Sequence, residues 1–577
     1  MLDVLIRNGT VVDGSGKPRF AADVGVQGDR IAFVGKAGDA RGNTEIDAAG
    51  KIVCPGIIDP HSHADLTVCR PDHVTLLEPL VRQGITTFIG GNCGFSLAPV
   101  GEKNREATEE YIGVFTGVDS RNNLQWPTMG GFLDALEERG VLLNTAVLAP
   151  HGLLRISEVG SALRYADDDE LRAMAKALDQ ALEEGAIGLS AGLQYFPGSQ
   201  SDTHELVHLG ETLKKHDGVF ACHLRSYCRT LDRAIDEVIE VARTNEIPAQ
   251  ISHIFDVPYL GVFGPPLRKF IRGLAKLSAW WTPPLPLAGP MNKRLGQMMA
   301  ARDQGVRVSM DVMPTTTGFT HLLAFFPPWV LVGAREDVIA RLRDPAERAR
   351  MRRDIEHGSM KWPHVEGNSW SLNFFQVMGW ESVRIMAVAS EKNRHYEGVP
   401  LVEIAREQGK HPLDAACDLL LEEGGHVLIF ESMAEPEDNL TERTMVPALK
   451  HPQVSVSTDT LLLGIGKPSH LFYGCYPKFL GRYVREKKLL PIETAVRKMT
   501  GLPAEHFGLD GRGRIKEGNY ADIVVFDFDL IAPRSTFQEP EQSPVGIEHV
   551  FINGTHVVDG DTFNGEPRPG KVLRHGK

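Results

Sequence analysis

The chain has 577 residues, of which 42% are hydrophobic and 24% are charged, a composition typical of a globular enzyme. Its formal net charge of −13 argues against nucleic acid or an anionic membrane as the main partner, because both require a basic surface. No apolar run is long enough to span a membrane. The net charge favours no particular substrate. We expect a small-molecule partner, neither nucleic acid nor a membrane, with self-association into a homo-oligomer left open.

The seven cysteines are scattered along the chain with no CxxC pair and no spacing typical of a disulfide framework. Unpaired cysteines are typical of a reducing compartment. The opening residues MLDVLIRNGT lack a basic segment followed by a long apolar one, so we expect no signal peptide. Together these features predict a cytoplasmic protein.

The two ends of the chain contain similar sequences. Residues 4–14 read VLIRNGTVVDG and residues 550–560 read VFINGTHVVDG, and both resemble a β-hairpin with a turn at Asn-Gly. Chance similarity between two hairpins is the alternative. We predict that residues 1–55 and 510–577 together build one small β-sandwich, with the remaining chain inserted between them.

Between the ends, apolar strands alternate with amphipathic helices such as DDELRAMAKALDQALEEG. This alternation favours a (β/α)8 TIM barrel over an open sheet, and we assign it to residues 56–509. The strand candidates number nine, one more than the barrel needs, and the surplus one is either 306–313 or 426–432. The candidates are GIIDPHSH, ITTFIGGNC, NTAVLAPHG, AIGLSAG, VFACHLRS, PAQISHIF, VRVSMDVMP, HVLIFESM and VSVSTD.

Two segments interrupt the alternation, at 255–293 and 318–400, and both are rich in proline or aromatic residues. In a barrel such insertions lie over the catalytic mouth, where lids occur. We expect Trp280 and Trp281, or the aromatic residues of 318–330, to line this mouth. A lid core formed by the same aromatic residues is the alternative.

Polar residues with metal-binding chemistry stand at the carboxyl ends of several predicted strands. His61 and His63 are two residues apart at the end of one strand, so their side chains point to one face. Barrel enzymes collect their active-site residues at this end of the strands. The other candidates, each on a different strand, are Cys93, His223, His253 and Asp459. This donor set suits zinc or a similar divalent ion, at two adjacent positions or one open site.

In FIGGNCGFSLAP, Gly91 stands two residues before Cys93 and Gly94 directly after it, and three interpretations of Cys93 are open. The thiol is a metal ligand, a catalytic nucleophile that uses one of the histidines as its base, or a residue of the core. The surrounding candidates favour the metal ligand.

The sequence resembles the amidohydrolase superfamily and, within it, the N-acyl-D-amino-acid deacylases. The resemblance covers nearly the whole chain outside the two insertions, and GNCGFSLAP is its most specific stretch. Other matching stretches are PGIIDPHSHADL, EEGAIGLSAGLQYFPG, CHLRS, QISH, VSVSTDT and GRIKEGNYADIVVFD.

The resemblance implies a metal-bearing barrel with a β-sandwich made from both termini and one or two Zn²⁺ ions per subunit. It implies that Cys93 is a bridging or nearly bridging ligand, and that His223 and His253 complete a tightly held zinc site. It also implies that His61 and His63 serve a second metal position, which binds its ion more weakly. Asp459 takes the place of the family's catalytic carboxylate. Separately from the resemblance, His151 at the end of TAVLAPHG is a candidate donor to the oxyanion, with a structural role as the alternative.

The chain departs from the family where the substrate carboxylate is held. Phe255 stands where the family has a lysine, and DVMPTTTGFT places Thr315 and Phe319 where the family has a tyrosine and a serine. The segment that supplies an arginine reads SHLFYGCYPKFLGRY here and brings Phe472 to that pocket. With Tyr195, these are the candidate substrate-binding residues.

These features predict a zinc-dependent hydrolase that cleaves a non-peptide amide bond, as D-aminoacylases do, on a bulkier or more apolar substrate. The alternative is other amidohydrolase chemistry on the same metal site: cyclic amide or lactone opening, deamination or C–C hydrolysis. A non-enzymatic relative is disfavoured because no metal ligand of the family is missing.

Overall fold

The computed structural model describes residues 1–118, 126–261, 264–283, 285–362 and 370–576. Its centre is a barrel of eight parallel strands, each short and buried on both faces. In chain order these barrel strands are Ile57–Asp59, Ile85–Gly90, Asn144–Val147 continued by Ala149–Pro150, Gly188–Gly192, Val219–His223, Ala249–Ile251, Val308–Val312 and Val454–Val456.

The barrel closes through its third and eighth strands. Asn144–Val147 pairs with the second strand and Ala149–Pro150 with the fourth, so the third strand joins the two halves. The eighth strand pairs with the seventh, and Ser62 forms a parallel bridge with Thr460 just beyond the strand ends. The backbone N–H of Asp459 donates to the carbonyl of His61 at 2.9 Å, which joins the loops that follow the first and last strands.

The structure decides which of the nine predicted strands is the surplus one. Val308–Val312 is the seventh barrel strand, whereas Val427–Ser432 lies outside the barrel. It is the central strand of a three-stranded antiparallel sheet, between Thr317–His321 and Val383–Val388. Both partner strands come from the 318–400 region, so the insertion recruits an apolar strand that the sequence pattern alone assigns equally well to the barrel.

The helices surround the barrel and fill the insertions. Asp167 caps the predicted helix Asp168–Glu183 in a reciprocal capping box with Glu170. None of the described helices is both long and apolar enough to cross a membrane. A π-helical segment spans Phe479–Glu486. The α-helices are Asp65–Val68, His73–Arg82, Arg105–Thr116, Met129–Arg139, His151–Val159, Asp168–Glu183, Thr203–Lys215, Leu231–Asn245, Gly264–Leu277, Gly289–Asp303, Arg335–Arg343, Pro345–His357, Phe374–Met378, Leu401–Glu407, Pro412–Glu422, Glu442–Lys450, Leu471–Lys478, Ile492–Met499 and Gly501–Phe507.

Strands from both ends of the chain share one sheet, which forms the β-sandwich. Ile523–Phe526 pairs antiparallel with Ile52–Pro55 and joins the two halves. This sheet encloses its own small apolar core, to which Val24, Val53 and Phe551 contribute. The domain limits at 55 and 510 stay a prediction. The strands of this sheet are Leu2–Val11, Phe20–Gln27, Arg30–Gly35, Gly42–Asp47, Ile52–Pro55, Ile523–Phe526, Ile547–Ile552, Thr555–Asp559 and Thr562–Phe563.

The two similar terminal stretches do not form the same structure. The second one is a hairpin, in which Ile547–Ile552 and Thr555–Asp559 are joined by a turn at Asn553 and Gly554. The first continues as a single strand, Leu2–Val11, and its Asn8 has a positive φ at an irregularity in the pairing with Phe20–Gln27. The prediction of two like hairpins is therefore wrong at the N-terminus. Asn-Gly permits either a turn or a bulge, and the available partner strand decides between them.

A buried ionic cluster joins the sandwich to the barrel. The carboxylate of Asp522 accepts hydrogen bonds from Asn144 Nδ2 at 3.2 Å and from the backbone N–H of Asn553 at 2.8 Å. It also pairs with the buried Arg512. The cluster therefore connects the third barrel strand, the terminal hairpin and the segment between them.

Replacing Asp522 with alanine is expected to lower the free energy of unfolding by about 3–5 kcal/mol, because it leaves a buried guanidinium without its partner. Chemical denaturation monitored by circular dichroism measures this loss. The exposed Glu566, replaced by alanine, is the control and should unfold within about 0.5 kcal/mol of the parent. A D522A protein as stable as the control would contradict the role of the cluster.

Candidate metal centre

The barrel brings together the six residues that the sequence predicts as metal ligands. His61 and His63 follow the first strand, and Cys93 follows the second. His223 ends the fifth strand, His253 follows the sixth and Asp459 follows the eighth. All six side chains are buried. They lie at the carboxyl end of the barrel because parallel strands direct the residues after them to one face.

The thiol of Cys93 is surrounded by imidazole nitrogens. Its Sγ lies 3.3 Å from His61 Nε2, 3.6 Å from His223 Nδ1 and 3.5 Å from His253 Nε2. Three rings thus converge on one sulfur from three different strands.

A second group of donors centres on the carboxylate of Asp459. Its Oδ1 lies 3.4 Å from His61 Nε2 and 3.3 Å from His63 Nε2. His61 therefore belongs to both groups, one with Cys93 and His253 and one with His63 and Asp459. Two adjacent cation positions that share His61 are consistent with this arrangement.

The donor set fits zinc. Tetrahedral bonds of zinc to nitrogen and sulfur place the ligand atoms about 3.3–3.6 Å apart, the separation found among these atoms. Asp459 Oδ1 is buried and has no hydrogen-bond donor directed at it. A buried carboxylate oxygen without a donor is costly unless a cation or a proton compensates it.

The backbone is constrained at three of these residues. Cys93 has φ 54°, His253 φ 33° and Asp459 φ 54°, in the left-handed region that L-residues rarely adopt. Such conformations concentrate at functional sites, where the surrounding structure enforces them. Gly91 has φ 74°, and a Cβ there would lie 2.1 Å from the carbonyl oxygen of Leu148. The glycine before Cys93 is thus required by the close approach of the third strand.

A second layer of contacts orients the imidazoles. His223 Nε2 donates to Gln194 Oε1 at 2.9 Å, and the Tyr227 hydroxyl lies 3.1 Å from His253 Nδ1. The backbone N–H of His253 donates to Asp311 Oδ1 at 2.8 Å. Contacts on the nitrogen that faces away from a metal select the tautomer and fix the ring plane.

Electrostatics favours ligands over a free nucleophile. Burial lowers the pKa of His61 and of His223 well below the ordinary value, so both rings are neutral, the form that binds metal. Burial, together with Asp459 and Asp311, raises the pKa of the Cys93 thiol well above its usual value. A nucleophilic cysteine requires the opposite shift, whereas a coordinated cation deprotonates a thiol directly.

Asp459 is held as a carboxylate. Burial by itself raises its pKa, but the contact with His63 and the other surrounding imidazoles outweighs burial and holds the pKa below the ordinary value. The negative charge therefore lies among the imidazoles, where it can bind a cation or accept a proton.

His151 does not reach this centre. Its Nε2 donates to Glu205 Oε1 at 2.7 Å inside the protein, and it does not line the cavity described below. Glu205 also lies 3.5 Å from Arg155. Asp202 caps the helix Thr203–Lys215 by accepting from the Glu205 N–H, while the Glu205 side chain turns inward to His151. The expectation that His151 donates to an oxyanion is not supported.

A cavity opens from the metal centre, and four predicted substrate-binding residues line it: Tyr195, Phe255, Thr315 and Phe319. Phe255 stacks face to face on Tyr227 at 4.0 Å between ring centroids. The Tyr195 hydroxyl accepts a hydrogen bond from Thr320 at 3.2 Å. These contacts fix the aromatic walls of the cavity.

Three predicted wall residues lie elsewhere. Phe472 is fully buried behind Phe319, with an edge-to-face ring contact at 5.4 Å. Trp280 and Trp281 are 92% and 63% exposed and do not line the cavity. Of the aromatic residues in 318–330, Phe319 does line it.

The cavity contains residues that sequence reasoning missed. Glu431, from the central strand of the three-stranded sheet, lies in the wall, and its Oε2 is buried without a hydrogen-bond partner. Five of the fifteen methionines also line it: Met291, Met313, Met378, Met433 and Met445. They are spread over the sequence, so no local pattern could have identified them. Among the described residues that line the cavity, none is lysine or arginine.

A family model of the amidohydrolases matches residues 44–253 and 428–558. The chain is 31% identical to D-aminoacylase of Alcaligenes xylosoxydans xylosoxydans, over 99% of this chain and 97% of that protein. It is also 31% identical to N-acyl-D-glutamate deacylase of the same organism, over 99% and 96% of the two chains.

Solved structures agree with these matches. A D-aminoacylase structure superposes with a TM-score of 0.75 at 29% identity, covering all of both chains. N-acyl-D-glutamate deacylase from Bordetella bronchiseptica, in complex with zinc and a phosphonate that mimics the tetrahedral intermediate, has a TM-score of 0.76 at 28% identity, with 99% of both chains covered. Residues 254–427 of this chain lie between the two segments that the family model matches, and they supply much of the cavity wall.

Proposed function

The chain belongs to the amidohydrolase family, and from this premise we propose that it is a zinc-dependent hydrolase of non-peptide amide bonds, related in mechanism to D-aminoacylase. We further propose that its substrates are more apolar than simple N-acyl-D-amino acids. The observation that carries the proposal is a buried Cys, His and Asp centre that opens into a cavity lined by methionine and aromatic side chains.

In this proposal Cys93, His223 and His253 would hold a tightly bound zinc ion, and His63 and Asp459 would provide the adjacent position. His61 lies within reach of both positions. When bound, zinc acts as a Lewis acid toward the substrate carbonyl and brings the pKa of a water molecule to about 7. Tyr227 and Gln194 keep the rings of His253 and His223 in the metal-binding orientation.

Asp459 is the proposed proton carrier. Asp459 lines the cavity as a carboxylate and accepts the proton of the attacking water. It then returns that proton to the leaving nitrogen, which departs as a free amine. The apolar cavity walls limit access of other water molecules to the reacting bond.

The cavity is unsuited to a substrate carboxylate. Phe255 presents an apolar ring, and the Thr315 hydroxyl is already bonded to Glu437. The nearby cation Lys478 is also paired with Glu437. An acidic substrate group would therefore meet no unpaired cation among the described residues of the wall.

Glu431 also disfavours a substrate carboxylate in the cavity. Burial and the nearby Asp459 raise the pKa of Glu431 to about 8, so the carboxyl group is largely uncharged at neutral pH. A substrate carboxylate would lie close to two acidic side chains, whereas an uncharged acyl chain would contact methionine and phenylalanine. Flexible methionine side chains adapt to varied apolar shapes.

A substrate panel tests the proposal. Purified zinc-loaded enzyme is expected to hydrolyse uncharged N-acyl amides in preference to N-acetyl-D-methionine or N-acetyl-D-glutamate. While room remains in the cavity, each added methylene should raise kcat/KM roughly fourfold, because burying one methylene contributes about 0.8 kcal/mol. Chromatography of the products identifies the reaction: hydrolysis of an amide releases an amine and an acid in equal amounts.

Two results would contradict it. Rapid turnover of the N-acetyl-D-amino acids would show that a cavity wall without lysine or arginine still accepts substrate carboxylates. Turnover of cyclic amides or lactones, with none of the open-chain amides, would favour the alternative amidohydrolase chemistry. Phe255→Lys is the matched variant, and it should improve activity on N-acetyl-D-amino acids by supplying a cation.

Cytoplasmic location and homo-oligomer formation remain further proposals. All seven cysteines are free and buried, which supports a reducing compartment. Light scattering of the purified protein measures its oligomeric state.

A further inference from the structure

The first insertion carries an exposed apolar surface. Eleven large hydrophobic side chains are exposed among the described residues, and seven of them fall between 259 and 285. Single exposed hydrophobic residues are ordinary, but a concentration in one short segment marks an interaction site. We call Leu267, Phe270, Leu277, Trp280, Trp281 and Leu285 the apolar face.

The helix that carries half of this face is oriented opposite to a usual surface helix. In Gly264–Leu277 the arginines point toward the protein: Arg268 donates to the carbonyl of Gln376 at 3.2 Å and Arg272 to that of Ala434 at 3.1 Å. Leu267, Phe270 and Leu277 lie on the solvent side. A surface helix normally buries its apolar stripe, so this orientation indicates that the stripe has a binding partner.

The charge of the segment is equally unusual. Residues 257–302 contain seven lysines and arginines and no aspartate or glutamate, in a chain with a net charge of −13. Lys269 and Lys276 are exposed on the helix that carries the apolar face. Acidic residues outside the segment partly offset this charge: Glu435 lies 3.7 Å from Lys276, and Glu381 lies 3.8 Å from Arg268. On the helix that carries the apolar face, Lys269 and the 69%-exposed Lys276 still present positive charge to solvent.

We propose that the apolar face binds the surface of an anionic lipid bilayer. Tryptophan, phenylalanine and leucine next to exposed lysines are the composition of helices that lie in the membrane interface. The two adjacent tryptophans supply apolar rings with an N–H group that remains at the headgroup level. The expectation of no membrane partner comes from the total charge, whereas membrane attraction acts within about one Debye length of the surface and depends on local charge.

A second copy of the chain is a less suitable partner. In a two-fold contact the same patch meets itself, so the lysines of one copy would lie near those of the other. The segment itself contains no acidic residue, and Glu435 from outside it already pairs with Lys276. Anionic headgroups supply a negative charge opposite Lys269.

The position of the segment gives this binding a role. Val257, which precedes the helix, and Met291, which follows the apolar face, both line the cavity that opens from the metal centre. A bilayer bound to the apolar face would thus lie close to the route by which apolar molecules enter. This consequence rests on the proposed function, whereas membrane binding itself does not.

Sedimentation with vesicles tests the proposal directly. Full-length enzyme is mixed with vesicles of phosphatidylcholine containing phosphatidylglycerol, and with vesicles of phosphatidylcholine alone. Trp280→Ser with Trp281→Ser should lower the partition coefficient to the mixed vesicles by about tenfold or more, because two exposed rings no longer enter the interface. Lys269→Gln should lower it by about fivefold, the contribution of one cation near the headgroups.

The control variant is Leu530→Ser, which removes a similarly exposed side chain from another region and should bind vesicles as the parent does. Thermal unfolding and zinc content, unchanged in all variants, show that the fold and the metal centre are intact. These measurements need no substrate, so they separate this proposal from the proposed function. The proposal is overturned by a parent that does not bind mixed vesicles, by variants that bind equally well, or by light scattering that shows an oligomer disrupted by the tryptophan substitutions without vesicle binding.

Discussion

Replacement of Cys93 with alanine is expected to abolish zinc binding and hydrolysis together. The sulfur is the atom on which His61, His223 and His253 converge, at 3.3–3.6 Å, so its loss removes the central donor of the site. Activity should fall by about 1,000-fold or more, since zinc supplies several kcal/mol of transition-state stabilisation. Atomic absorption after dialysis measures zinc per chain, and kcat/KM on the best substrate measures activity.

The result also separates the three interpretations of this thiol. A nucleophilic cysteine predicts lost activity with retained zinc, and a core thiol predicts that both are retained. Cys417→Ala is the matched control, because Cys417 is a buried thiol in the helix Pro412–Glu422. It should keep its zinc and its activity, at a stability cost of about 1 kcal/mol.

The second large effect is expected at Asp459. Asp459→Asn keeps the shape of the side chain but cannot accept a proton, so kcat should fall by about 100- to 10,000-fold. Zinc held by Cys93, His223 and His253 should remain, because those donors are unchanged. Rate measurements on zinc-loaded enzyme, with metal content determined on the same sample, check both parts.

Asp354→Asn is the corresponding control. Its carboxylate is buried away from the centre and accepts a hydrogen bond from Trp329 Nε1 at 2.8 Å. This variant should lose some stability but little kcat. An Asp459→Asn enzyme with the kcat of the parent would exclude Asp459 as the proton carrier, and loss of all zinc in that variant would show that it acts mainly as a ligand.

The apolar cavity and the exposed apolar face are consistent with one substrate class. The cavity favours molecules that carry an acyl chain and no carboxylate next to the reacting bond, and a bilayer at the apolar face would be a source of apolar molecules. The substrate panel and the vesicle experiment examine these two features independently, so either can fail without the other.

The sequence by itself determined the centre of this protein. His61, His63, Cys93, His223, His253 and Asp459 could be predicted because each follows an apolar strand, and parallel strands in a barrel bring their carboxyl ends to one face. The resemblance to the deacylases implied the same metal-binding residues and the same fold. Local sequence was sufficient here because position along a strand determines position in the barrel.

Only the tertiary structure decided what surrounds that centre. The strand Val427–Ser432 reads like a barrel strand, yet it pairs with Thr317–His321 and brings Glu431 into the cavity. His151 also ends a strand, but the nearby Glu205 binds its ring. The sequence also does not predict which side of the helix Gly264–Leu277 is exposed, because an amphipathic pattern does not say which face packs against the protein. These outcomes depend on contacts between residues far apart in the chain, and periodicity within one segment does not determine them.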